Sequence, residues 1–278
     1  GAFGSSWHGR KFWKFRLQVG TKMSETAETL YGIHPVTEAL RSRRRNVTAV
    51  YVADGKQGPD INRIMKMAKK KGAKLIRCDK HDIEKMARGK NHQGVAAKAE
   101  PLKIMSLSEA IAFDAGNKNA FWLGVDEISD PQNLGAIIRS AACLGVSTIV
   151  VPGHRSVSIT PTVQRVSAGA AERVNIVAGG NLNQAILRLK DEGFWIYGAD
   201  MGGKAAPEVK YKLPAMLVIG SEGHGIRQKT GEHCDEIVSV PQTGGLDSLN
   251  AAAAASILMY DISAKTGLWK LDADINAD

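Results

Sequence analysis

"AFWLGVDEISDPQNLGAIIRSAACLG", residues 120–145, opens on six apolar residues, meets its first charge at Asp126, and turns at Asp130-Pro131. An unbroken apolar run of that length suits a strand buried on both faces rather than one with a wet side. The Asp-Pro pair and Asn133 set a turn, and a helix is expected from Leu134 onward. A buried strand leading through a polar turn into a helix is half of a βαβ unit. It predicts a parallel sheet covered by helices on both faces. Arg139 is the single charged side chain between Asp130 and Gly145. It is either a surface arginine reaching water or a member of a reactive cleft.

The same alternation extends in both directions. Downstream, strands are expected at 146–153, 173–179, 194–200, 214–223 and 235–242, a helix at 181–193, and a closing helix rich in alanine at 248–267. Upstream, helices are expected at 34–42, 60–72 (closed by Gly72) and 81–89, and strands at 48–54, 73–79 and 93–100. These form a compact α/β unit, and a connector with a short helix at 106–116 joins the two series. The expected division is a first unit over 29–100, a linker over 101–118, a larger unit over 119–270 and a tail over 271–278. Residues 1–28 stand before it as a tag or disordered extension. Residues 1–22 are basic, aromatic and free of acids, precede Met23, and are set aside from fold reasoning.

With 278 residues the chain has room for two modest domains, and 44% apolar with 23% charged residues is ordinary globular usage. No apolar run is long enough to span a bilayer. Cys78, Cys143 and Cys234 are far apart, so neither a disulfide framework nor a metal site is indicated, and a reducing cytoplasm is the expected location. The charge is uneven. Residues 23–100 carry 17 Lys/Arg against 9 Asp/Glu, and residues 101–278 carry 15 against 19. "RSRRR" (41–45) and "KMAKKKGAK" (66–74) supply most of the basic excess. They are either solvated helix faces or the electrostatic footprint of a nucleic-acid partner.

Ligands of open parallel sheets bind beyond the carboxyl ends of the strands. Three Gly- or Asn-bearing loops emerge there: "SDPQNLG" with Asn133, "SEGHGI" with Glu222, and "QTGGLDSLN" with Ser248 and Asn250. Taken singly, Asn133 and Ser248 read equally well as helix caps and Glu222 as a turn residue. "GSEGHG" imitates a dinucleotide fingerprint but sits on a late strand, which excludes an NAD enzyme. The histidines share no spacing that suggests a metal.

The motifs "DPQNLGAIIRSA", "LVIGSEGHGI" and "VSVPQTGGLDSLN", with "SAGAAERV" (167–174) between them, resemble the SpoU branch of the SPOUT superfamily. These are the knotted RNA ribose 2′-O-methyltransferases that use S-adenosylmethionine. Upstream, "YGIHPVTEAL" and "NHQGVAAKAEP" resemble the L30e-like substrate-binding domain of the large-subunit rRNA guanosine methyltransferases. The resemblance implies a trefoil knot in the parallel-sheet domain and a homodimer through that domain, with no membrane and no metal. It implies an adenosylmethionine pocket lined by backbone near Gly220, Val240 and Leu249. Gln242 stands where relatives commonly carry methionine, and Ala251, Ala252 and Ala253 where they carry Val-Ser-Val.

The activity so implied is methyl transfer to a guanosine ribose of 23S rRNA. A tRNA substrate and a non-catalytic RNA-binding assembly factor are the alternatives. Arginine stays protonated, so Arg139 suits clamping of the nucleotide's phosphate or stabilisation of developing alkoxide charge. A role with that phosphate in removing the hydroxyl proton remains the other option. Asn133 is expected to orient Arg139 or the ribose, Glu222 to hold the arginine's other edge, and Ser248 and Asn250 to add neutral hydrogen bonds.

Overall fold

The computed structural model describes residues 27–42, 44–153, 159–243 and 248–268. The extension expected before Ala27 and the tail after Leu268 lie outside the described residues. So do Asp247 and the glycine pair of the third loop.

The N-terminal unit comprises β1 (Glu28–Tyr31), α1 (Ile33–Arg41), β2 (Val47–Ala53), α2 (Pro59–Lys70), β3 (Lys74–Cys78), α3 (Lys80–Met86) and β4 (Val95–Ala99). Its strands form one sheet in the order β1-β4-β2-β3. Only β2 and β3 run parallel; β4 is antiparallel to both β1 and β2. β1 was not anticipated, because four residues without an alternating pattern give no periodic signal. Val36, Leu40, Val50, Ile61, Ile64 and Val95 fill the core between this sheet and the helices α1 and α2. The lysines of α2 (Lys66, Lys69 and Lys70) stay on its exposed side.

After α4 (Leu107–Phe113), the second unit contains β5 (Phe121–Val125), α5 (Pro131–Cys143), β6 (Thr148–Val151), α6 (Pro161–Val166), β7 (Asn175–Ala178) and α7 (Leu182–Asp191). It continues through β8 (Trp195–Ala205), β9 (Ala215–Ile219), α8 (Gln228–Gly231), β10 (Glu236–Ser239) and α9 (Ala251–Thr266). Its six strands, ordered β10-β8-β9-β5-β6-β7, are all parallel, as the buried apolar runs predicted. Both faces are covered. α5 and α9 bury Leu134, Ile137, Leu258 and Ile262 against one face, and α7 buries Leu182 and Ile186 against the other. Trp122, fully buried, keeps its indole N–H satisfied by donating to Asp114 Oδ2 at 2.7 Å. Gly135 lets α6 lie against α5, since a Cβ there would stand 2.5 Å from Val166.

The two units are joined by a buried ionic contact. Arg45, with a side chain 0% exposed, reaches Glu172 Oε1 at 2.6 Å and Glu28 Oε2 at 2.8 Å. It also donates to Gln164 Oε1 at 2.7 Å and to the Glu100 carbonyl at 3.1 Å. Arg44 donates to the Val174 carbonyl, and Arg173 bonds Glu38 across the same junction at 2.7 Å. Two arginines of the "RSRRR" cluster therefore face the second unit and not a polyanion. A buried guanidinium must meet its donors internally, and Glu172 and Glu28 supply the carboxylates.

Candidate functional site

Because all six strands run the same way, the loops after β5, β9 and β10 share one edge of the sheet. The loop after β9 closes on itself. Ser221 and Gly225 form an antiparallel bridge, with Gly225 N donating to Ser221 O at 3.1 Å. Gly220 must be glycine for this closure, because a Cβ would stand 1.9 Å from the Gly225 carbonyl oxygen. Glu222 is carried near the tip of the turn. At the loop's far end Arg227 is fixed to the end of β5: its N–H donates to Asp126 Oδ2 at 3.1 Å, and Nη2 meets Oδ1 at 2.7 Å. Asp126 itself is 1% exposed, so this pair anchors the loop from within.

Three of the five expected polar residues converge. Asn133 Nδ2 donates to Glu222 Oε1 at 3.0 Å, and Asn250 Nδ2 donates to Asn133 Oδ1 at 3.0 Å. Asn250 Nδ2 also donates to Glu222 Oε1. Each residue comes from a different strand-end loop. Asn133 is not the cap of α5; Asp130 is, accepting from Gln132 N at 3.0 Å. Asn250 does cap α9, its Oδ1 accepting from Ala252 N at 2.9 Å and Ala253 N at 3.2 Å. Its amide thus serves the helix with one end and the cluster with the other.

Beside the cluster opens a cavity of about 280 Å³, close to the ~300 Å³ lower end for small-molecule sites. Its lining includes Gly220, Val240 and Leu249, the three expected backbone positions, with Glu222 and Ser248 at the mouth. Gly220 and Val240 each stand one residue past the last paired position of β9 and β10. Their backbone edges there lie beyond the ladder, where a ligand can meet them. Val238 and Leu258 supply apolar wall, and Gln242 and Ala251, two of the departures, also line it. Sequence reasoning missed Asp200, Met201 and His224, which lie on the same lining. The β8 extension that brings in Met201 has no periodic signature. Among the described residues no group of side chains could hold a metal.

Arg139 is not drawn into the cluster. It lies on α5 six residues beyond Asn133, about 9 Å further along the axis and about 240° around it. The side chain is exposed. None of Asn133, Glu222 or Asn250 bonds it: Glu222 Oε1, expected to hold the arginine, is taken by the two amides. His92 and Gln93 serve the N-terminal unit itself. His92 is buried, its Nδ1 accepting from Gly94 N at 3.1 Å, and Gln93 Oε1 accepts from Ile33 N at 3.0 Å.

Comparison with known proteins accords with this geometry. Residues 120–260 match the SpoU rRNA Methylase family model, and residues 29–105 match that of the RNA 2′-O ribose methyltransferase substrate binding domain. An uncharacterized tRNA/rRNA methyltransferase of Mycolicibacterium gilvum is 36% identical over 87% of this chain and 78% of its own. The 23S rRNA (guanosine-2′-O-)-methyltransferase RlmB of Xanthomonas campestris is 32% identical over 86% of this chain and 97% of its own. Among solved structures, the SpoU methyltransferase AviRb of Streptomyces viridochromogenes, in complex with AdoMet, superposes with a TM-score of 0.73 at 20% identity. That match covers 88% of this chain and 92% of the other. An AdoMet-bound rRNA methyltransferase of Sinorhizobium meliloti gives 0.72 at 21%, covering 88% and 89%. The two matched models, the identity over nearly the whole of one relative and the shared fold make the chain a member of the SpoU rRNA methylase family.

Proposed function

We propose that this protein is an S-adenosylmethionine-dependent RNA ribose 2′-O-methyltransferase acting on a guanosine of 23S rRNA. The observation that carries the reading is the juxtaposition of the strand-end cavity with the Asn133–Glu222–Asn250 cluster. The cavity fits the cofactor's chemistry: apolar wall from Val238 and Leu258, and backbone edges at Gly220, Val240 and Leu249 able to read an adenine. When bound there, the cofactor supplies a sulfonium-activated methyl group. The chain's own residues do the rest. Asn133 and Asn250 hold Glu222 in one orientation at the mouth, so a ribose entering beside it meets a prearranged set of donors and acceptors. Ser248 adds a hydroxyl on the same lip. Arg139, exposed and bonded to no described residue, is available to the phosphate of the target nucleotide.

The protein acts as a homodimer through its second unit, in the cytoplasm. Ile257 is 43% exposed and Tyr260 48% exposed, three residues apart on the outer side of α9, and this apolar pair supports the assembly. Calorimetric titration with S-adenosylmethionine, followed by methyl transfer to 23S rRNA and tRNA transcripts, tests the reading. Cofactor binding with label entering only 23S rRNA is expected. Label entering tRNA alone would move the substrate assignment. RNA binding without cofactor binding would leave an inert assembly factor.

A further inference from the structure

We propose that the cleft between the N-terminal unit and α6 binds the phosphodiester backbone of the RNA strand that runs up to the target nucleotide. This rests on the RNA methyltransferase reading. The cleft encloses about 550 Å³, and its basic wall is formed by Arg88 and Lys90, between α3 and β4, and by Lys98 on β4. Thr160, Pro161 and Thr162, at the start of α6, form the facing wall. No described carboxylate forms a salt bridge with these cations. Lys90 Nζ donates to the Thr162 hydroxyl at 2.7 Å, and Lys98 Nζ to the Thr29 hydroxyl at 2.6 Å, both uncharged acceptors. Arg88 is exposed and forms no salt bridge with any described residue. Among the described lining residues the single acid is Glu28, and its Oε2 is occupied by Arg45 at 2.8 Å and Gln164 Nε2 at 3.2 Å. Three cations thus share a partly enclosed space with one described carboxylate, itself bonded to Arg45, an arrangement suited to a polyanion that threads through it.

The position of the cleft decides which polyanion. α6 packs against α5, whose first turn carries Asn133, and against β1 of the N-terminal unit. Val166 of α6 lies beside Gly135 of α5, two residues past Asn133, so a strand lying in the cleft continues toward Asn133. The buried Arg45 contact holds the two walls in register. Among the described lining residues there is no asparagine or glutamine, so recognition there is of backbone charge and not of sequence.

The test uses the whole chain carrying Lys90→Ala and Lys98→Ala together, with Lys90→Arg and Lys98→Arg as the charge-preserving control. Binding of an RNA oligonucleotide bearing the target site is followed by fluorescence anisotropy across a salt series. Each lost phosphate contact to a single strand lowers the log–log salt slope by about 0.7, so the double alanine variant is expected to lose about 1.4. Its KM for RNA should rise about tenfold, while S-adenosylmethionine affinity and thermal midpoint stay at wild-type values and the arginine pair restores the slope. An unchanged slope and KM in a variant that still methylates RNA overturns the cleft and leaves the enzyme reading standing. Absence of methyl transfer by the wild-type chain strikes that reading instead. Displacement of the RNA by low-millimolar inorganic phosphate would show a small-anion site and overturn the proposal too.

Discussion

Arg139 separates two descriptions of α5. A surface arginine replaced by alanine changes stability by less than roughly 0.5 kcal/mol and leaves rates alone. With its guanidinium bonded to no described residue, Arg139→Ala is expected to keep fold and cofactor affinity. Methyl transfer should fall by about 10²-fold or more, the usual cost of losing a charge-stabilising group. Single-turnover rates at saturating RNA and cofactor are the measurement, because they isolate chemistry from binding. Arg139→Lys keeps the charge but not the planar fork, so substantial residual activity would favour simple electrostatics over bidentate positioning. Cys143, exposed one turn further along α5, provides an independent reporter of the same face. Burial pushes the Cys234 thiol up to about 12, so iodoacetamide at pH 8 should modify Cys143 and spare Cys234 in peptide mass maps. RNA bound over Arg139 should slow that modification.

At the level of elements, Asn250 joins the cap of α9 to the proposed cluster. Asn250→Ala removes the cap and the cluster donor together, and is expected to cost about 1 kcal/mol of stability as well as activity. Asn250→Asp keeps an acceptor for Ala252 N and Ala253 N but sets a second carboxylate against Glu222. Thermal unfolding should therefore change little while turnover collapses; equal retention of both would separate the cluster from catalysis. The sheet and the loops were legible in the sequence because buried parallel strands are continuous apolar runs and their ends are marked by glycine and asparagine. What was not legible was mutual orientation. The strand-end loops placed Asn133, Glu222 and Asn250 at one edge and the family resemblance added Arg139, but helical phase turned Arg139 away from the other three. β1 and α6 escaped notice for being four and six residues long, too short for a period to repeat.

For the molecule as a whole, the relation between its units rests on Arg45. Arg45→Ala leaves Glu172, 5% exposed, without its cation, and breaking a buried pair of this kind typically costs about 3–5 kcal/mol. Native-state hydrogen exchange should show faster opening along the junction between β1 and α6, with protection in β5 and β9 less affected. Uniform loss across both sheets would mean that the two units unfold as one. The assembly prediction belongs here as well. If the proposed homodimer forms through α9, the wild type should elute as a dimer in light scattering, and Ile257→Asp, which places a charge on an already exposed site, should stay folded yet elute as a monomer.

The strand order β10-β8-β9-β5-β6-β7 also bears on how the protein is made. As the chain leaves the ribosome, β5 can pair with β6, and β6 with β7, while the other side of β5 waits for β9, which begins only at Ala215. β8 is synthesised earlier than β9 yet hydrogen-bonds to it, and β10 in turn lies against β8. The centre of the finished sheet is therefore closed by a late piece, and until then the apolar edge at Phe121, Leu123 and Val125 is open to any other strand. Nascent chains halted before β9 carry that edge uncovered, so quality control of this protein turns on the synthesis of β9.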